Sequence, residues 1–254
     1  MPESASHDGS SHDSRNLGVE EVCRLLLEGD LGESQLVPWG SNYTFAVSVT
    51  IDGGDSFPAI YKPQEGEAPL WDFPERTLYR REFATFLASE ALGWRLVPPT
   101  VIRSGPHGVG SLQLYIEPDG EVDYSTLQEE HPDVLRRFAL FDMVINNADR
   151  KAGHCFLGRD GHVWGIDHGL TFHAHPKLRT VIWDYQEEPI LPSWLRDVRA
   201  LRDRLEQDDE VAQSFEQLLN PAEVQALKLR IECILEEPVF PSPRHHHHFP
   251  WPPH

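Results

Sequence analysis

The chain has 254 residues, 39% of them hydrophobic, and a formal charge of −19 from 22 Lys and Arg against 41 Asp and Glu. That length supports one folded unit, and that charge opposes nucleic acid and the anionic face of a membrane, since no basic patch offsets it. No run of eighteen apolar residues occurs, the polar N-terminus lacks a signal-peptide layout, and three scattered cysteines (Cys23, Cys155, Cys233) make no disulfide framework; the expectation is a cytoplasmic protein without a stable membrane anchor.

In chain order, residues 1–16 are Ser-, His- and Asp-rich and predict a disordered tail. Helical spacing of apolar residues from Val19 to Leu27 predicts the first helix. Gln35 to Trp39, Thr44 to Ile51 and Ala59 to Tyr61 read as strands of a small antiparallel sheet, the last two joined by the turn-rich DGGDSFP. Glu75 to Leu92 has an amphipathic pattern that Gly93 can terminate, and Ser111 to Glu117 reads as a strand after the turn GPHGVG. The ordering of the acidic stretch from Glu117 to Asp133 is not given by the sequence.

Val134 to Ile145 predicts a helix, and HCFLGRDGHVWGID two short strands around an Asp-Gly turn. The remainder reads as helical: Pro192 to Leu205, Glu210 to Leu219, and Pro221 to Leu235, the last capped by Asn220 with Glu223 in its first turn. A Pro- and His-rich tail, 239–254, predicts neither helix nor sheet, and its His245 to His248 run is an adventitious binder of transition metals. The expected folded domain is thus 17–238, divided near 117.

Phosphoryl transfer requires a lysine on the nucleotide phosphates, carboxylates on a divalent metal, and a group that orients the attacking hydroxyl. The sequence supplies these types in order. Gly40, Ser41 and Asn42 lie between two predicted strands, where backbone amides can cover phosphates or simply turn the chain. Lys62 ends a strand and Glu82 lies mid-helix; each is a solvated charge or one half of a pair. The loop Asn146-Asn147-Ala148-Asp149-Arg150-Lys151 places many polar side chains after an apolar helix. Eighteen residues past Asp149, Asp167 ends an apolar strand before Gly169. Asp149 and Asp167 are the candidate base and metal ligand, with turn and cap roles as the alternatives.

The segments AIYKPQEGE, YRREFATFLASEALGWRLVPPT, FDMVINNADRKAGHCFL and GIDHGLTF resemble the phosphatidylinositol 3/4-kinase-like superfamily, especially the type II phosphatidylinositol 4-kinase branch, and more distantly HipA-type kinases. The resemblance runs from Gly40 to Phe172. It implies an α+β, bilobal, kinase-like fold with a small β-rich N-terminal lobe and a mainly helical C-terminal lobe. It implies that Lys62 contacts the ATP phosphates, that Glu82 pairs with Lys62, and that Gln113, Tyr115 and Ile116 lead into an adenine-binding hinge. It implies Asp149 as catalytic base and Asp167 on Mg2+ or Mn2+. Five residues past Asp149 the family carries a metal-binding asparagine; here stands His154, an imidazole better suited to manganese or zinc than to magnesium. The expected activity is transfer of the γ-phosphoryl group of ATP to a hydroxyl of a protein or small soluble acceptor. A phosphoinositide ranks behind these, and a nucleotide-binding pseudokinase or scaffold is the alternative.

Overall fold

The computed structural model describes residues 18–38, 42–51, 54–207, 209–243 and 248–252. Helix α1 (Val19–Glu28) buries Val22, Leu25 and Leu26 along one face. The strands β1 (Asp30–Leu31), β2 (Gln35–Val37), β3 (Thr44–Thr50) and β4 (Ser56–Pro63) follow. Helix α2 (Leu78–Ala91) comes next, and then the hairpin β5 (Thr100–Gly105) and β6 (Gly108–Leu114). All six strands join one antiparallel sheet in the order β1-β3-β4-β6-β5, with β2 also on β3.

Strand parity positions the chemistry. On β4, Ala59, Tyr61 and Pro63 are buried, and Tyr61 packs with Val47, Val49 and Leu112 of the sheet and with Val22 and Leu26 of α1. Successive side chains alternate faces, so Ile60 and Lys62 project from the opposite side, away from α1. Leu26, Val49, Tyr61 and Leu112 are fully buried, each apolar side chain of that kind contributing about 1.5–3 kcal/mol. This sheet-and-α1 core is separate from a larger one built by α2 and the helices beyond it.

Beside Lys62 the sheet has no room for a side chain on β6. A Cβ on Gly110 would lie 2.7 Å from Pro63 Cα and closer still to the Lys62 carbonyl oxygen, both backbone atoms that cannot rotate away. Gly110→Ala is therefore expected to destabilise the fold by about 1–3 kcal/mol, read as a lower urea midpoint at unchanged slope. An unchanged midpoint would mean that β4 and β6 separate freely.

The second half holds α3 (Tyr124–Glu130), α4 (Pro132–Ile145), the hairpin β7 (Cys155–Leu157) and β8 (Val163–Gly165), α5 (Pro192–Glu206), α6 (Glu210–Leu218) and α7 (Pro221–Glu236). Asn220 caps α7, its side chain accepting from Glu223 N while the Glu223 carboxylate accepts from Asn220 N. Glu223 also takes a 2.5 Å bond from Arg81 of α2, both side chains being buried, so α7 is bolted to the helix that carries Glu82. Among the described residues no helix is long and apolar enough to cross a membrane.

Several predicted boundaries shift. The first predicted strand, from Gln35, stops at Val37, before Pro38, and Trp39 lies outside the described residues. Strand β4 begins at Ser56 rather than Ala59, because Phe57 and Pro58 already pair with Val49 and Ser48. Helix α2 starts at Leu78, not Glu75, since Arg76 adopts a left-handed φ of 60°. Strand β6 ends at Leu114 rather than Glu117, where its pairing with β4 stops. β5 was not expected, and the acidic stretch contains α3, with Asp123 accepting from Thr126 N at its N-terminus. The region after the β7–β8 hairpin is irregular up to α5 instead of helical. The tail is also more structured than its composition suggests: Val239 bridges Pro189, Phe240 is buried, and Thr180 N donates to His248 O at 3.1 Å.

Candidate active site

Lys62 reaches from β4 across to α2 and to the loop after β8. Its Nζ donates to Glu82 Oε1 at 2.5 Å and to Asp167 Oδ1 at 3.0 Å. Glu82 is 3% exposed, and its other oxygen accepts from His168 N at 3.0 Å. One buried carboxylate thus ties the sheet lysine to the backbone beside Asp167. Burial opposes the Lys62 charge, but Asp167 and Glu82 outweigh it and hold the ammonium above its ordinary value. The same ammonium is the main influence holding the Asp167 carboxyl well below the usual carboxylate range. Asp167 itself is left-handed, φ 61°, a conformation that Asp tolerates and that functional sites often retain.

The loop after α4 brings the second carboxylate. Asn146 closes α4 in the left-handed region; its amide donates to the His173 and His175 carbonyls while its oxygen accepts from Lys177 N. Asn147 accepts from Asp149 N at 3.0 Å and donates to Asp142. Asp149 Oδ2 lies 3.3 Å from Lys151 Nζ. Burial pushes the Asp149 carboxyl up to about 6, with Lys151 and Arg179 pulling it down and Asp167 adding to the rise.

Beneath this loop lies a buried ionic set. Arg150 and Asp142 are both fully buried and paired at 2.8 Å. Arg150 Nη2 lies 2.8 Å from His168 Nε2. A guanidinium can only donate, so Nε2 accepts and the proton sits on Nδ1, a buried atom with no hydrogen-bond partner among the described residues. Burial and Arg150 hold His168 neutral. The Asp149 and Asp167 loops are therefore joined through Arg150 and His168.

His154 is half-buried, and burial pushes its imidazole down to about 4, so it is neutral at pH 7. Its Nδ1 accepts from Lys151 N at 3.4 Å, which assigns the proton to Nε2, 3.4 Å from Asp167 Oδ2. As placed, His154 offers Asp167 an N–H rather than offering a metal a lone pair.

Lys62, Glu82, Asp149, Lys151, His154 and Asp167 all line one cavity of about 640 Å³, within the roughly 300–1,000 Å³ of small-molecule sites. Asn42, Gln113, Tyr115 and Ile116 line it from the sheet side. Gln113 spends its amide on Thr100 Oγ1 at 2.9 Å, and Asn42 Oδ1 accepts from Ala68 N at 2.7 Å. Gly40 and Ser41 lie outside the described residues, as do three of the four tail histidines; His248 stacks on Trp183. Among the described residues no three His, Cys, Asp or Glu side chains form a ready metal cage.

No family model matches the chain. Protein Rv2133c of Mycobacterium tuberculosis is 38% identical over 263 aligned residues, covering 90% of this chain and 94% of that protein. The chain belongs to the family of Protein Rv2133c. Among solved structures, the Golgi casein kinase with Mn and ADP bound aligns at a TM-score of 0.55 with 15% identity, over 86% of this chain and 74% of that one. The hydra Fam20 with sugar aligns at 0.52 with 14% identity, over 86% and 87%. The Helicobacter pylori proinflammatory kinase CtkA aligns at 0.50 with 11% identity, over 85% and 94%. This family member therefore has an atypical protein-kinase-like fold.

Sequence reasoning placed Arg150 and Lys151 in the polar loop without giving either a role, and it assigned none to Asp142 or His168. Asp142 carried a readable signal, a carboxylate inside the apolar run FALFDMVI eight residues before an arginine. Lys151 carried none beyond its place two residues after Asp149.

Proposed function

We propose that the chain is a phosphotransferase that moves the γ-phosphoryl group of ATP onto a hydroxyl of a protein or small soluble acceptor. The observation that carries this reading is the continuous Lys62–Glu82–Asp167 linkage facing Asp149 and Lys151 in one cavity. In this reading Lys62 binds nucleotide phosphates, oriented by Glu82. Asp149 takes the proton of the acceptor hydroxyl as its oxygen bonds to the γ-phosphorus; the bond to the β–γ bridging oxygen breaks, and ADP leaves with that electron pair. Lys151 balances charge next to Asp149. Asp167 would hold Mg2+ or Mn2+ together with the nucleotide phosphates, the ion supplying charge neutralisation when bound. The adenine would lie toward Gln113, Tyr115 and Ile116.

Within kinase-like families the four motifs favour kinship with the type II phosphatidylinositol 4-kinase branch. A phosphoinositide acceptor is nevertheless disfavoured by the charge of −19. Three unpaired cysteines support a reducing, cytoplasmic setting. The test is turnover of γ-labelled ATP with magnesium and with manganese by the purified full chain. Label transferred to protein or acceptor supports the reading; nucleotide binding without turnover in either metal opposes it.

A second reading, a nucleotide-binding pseudokinase, is favoured by one observation: His154 points an N–H at Asp167. If the imidazole holds Asp167 away from a metal, His154→Asn is expected to raise magnesium-supported turnover by about tenfold relative to manganese-supported turnover, since an amide oxygen suits magnesium. An unchanged metal ratio would remove His154 from the metal question.

A further inference from the structure

Arg179 is the cation that the proposed chemistry does not use. Its backbone runs beside the Asp149 loop: Arg179 N donates to Asn147 O, Arg150 N donates to Arg179 O, and Val181 N donates to Arg150 O. Arg150 and Thr180 form a parallel bridge, and both side chains are buried, at 0% and 2% exposure. Side chains alternate along paired extended segments, so Asp149 and Arg179, each preceding a buried partner, project together from the opposite, open side. Both are half-buried.

The other cations nearby are engaged. Lys62 is held by Glu82 and Asp167, Lys151 by Asp149, and Lys177 by Asp72. Arg230 donates to the Val144 and His173 carbonyls. For the Arg179 guanidinium no ion pair or hydrogen bond is recorded among the described residues. Its charge nonetheless reaches the Asp149 carboxyl. Asp149 lines the nucleotide cavity whereas Arg179 does not, so the arginine stands outside the place for ATP, where an acceptor must approach Asp149.

We propose that Arg179 anchors an oxyanion of the acceptor, so that the preferred substrate is an alcohol carrying a phosphate or carboxylate near its reacting hydroxyl. A guanidinium matches either group with two parallel N–H donors. In a chain of charge −19, an arginine beside Asp149 whose guanidinium has no ion pair among the described residues draws an anion inward. The inference rests on the kinase reading for the word acceptor, while the anion site itself does not.

The test separates the two. Calorimetric titration of the full chain, without nucleotide, uses glycerol 3-phosphate against glycerol and a serine peptide flanked by aspartates against one flanked by lysines. The wild type is expected to prefer the anionic member of at least one pair, and Arg179→Gln to weaken that binding by about tenfold, the order expected of a charge-assisted contact, with Arg179→Lys recovering part. Preference within the glycerol pair alone identifies a small anionic alcohol; preference within the peptide pair alone identifies an acidic peptide. Equal binding within both pairs, or a preference that survives Arg179→Gln, overturns the proposal. Charge-selective binding by a chain that transfers no label from γ-labelled ATP in either metal would instead overturn the kinase reading and leave the anion site standing.

Discussion

Asp149→Asn is expected to lower γ-phosphoryl transfer by at least about a hundredfold while ADP still binds, because the amide keeps the size of the carboxylate and cannot accept the hydroxyl proton. The neighbourhood is built for that proton. Burial and the nearby Asp167 raise the Asp149 carboxyl to about 6, against Lys151 and Arg179. A base must be ionised to act, so kcat/KM of the wild type is expected to climb with pH through about 6 and then level off. The group is raised, so activity is lost on the acid side as pH falls through that value. The residual rate of Asp149→Asn should lack this limb. A variant that keeps both the rate and the acid limb would assign the base to another group, and transfer would then have to be re-derived from Asp167. Loss of ADP binding together with rate would show instead that Asp149 supports the cavity itself.

The legible parts of this molecule are those decided by neighbours in sequence. An apolar strand leading into Lys62 and the Asn220–Glu223 cap could both be read from residues close together in the chain, whereas the face on which Lys62 stands came only with the burial of Tyr61. Gly93, at φ 70°, does end α2 as its position suggested. What the pattern could not give is where a charged residue hides. Arg81 and Glu82 look like the polar face of an amphipathic helix, yet both are buried. Arg81 is neutralised by Glu223, 142 positions away, and Glu82 by Lys62 and the amide of His168. Burial of a charge is tolerated only with such partners, and partners this distant leave no periodicity behind. For the same reason the tail, read as neither helix nor sheet, gave no sign that its backbone bonds Thr180 and that its Phe240 enters the core.

Asp142→Leu is expected to be the most destabilising single change near the site, at about 3–5 kcal/mol, because it strands the Arg150 charge in a fully buried position. Against a total of about 5–15 kcal/mol for a folded domain, that loss brings the protein close to unfolding, and a urea titration will read it directly. Arg150→Met is expected to be similarly harmful, since it leaves Asp142 charged in the same place. The double variant is informative because both charges are gone. If charge burial dominates, Asp142→Leu with Arg150→Met should recover most of the lost stability, the coupling in the double-mutant cycle equalling most of either single loss. Turnover should not recover with it. Arg150 also contacts His168 Nε2 and the His154 carbonyl, and Asp142 also accepts from Asn147, which in turn accepts from Asp149 N. Apolar replacements satisfy none of these bonds, so the Asp149 and Asp167 loops lose their common anchor. A displacement of about 1 Å between reacting groups is enough for a hundredfold loss of rate. A folded, stable, slow double variant would mean that the buried pair is retained for the geometry it imposes on the two carboxylates. A double variant as unstable as the singles would place the importance of the pair in its surrounding hydrogen bonds.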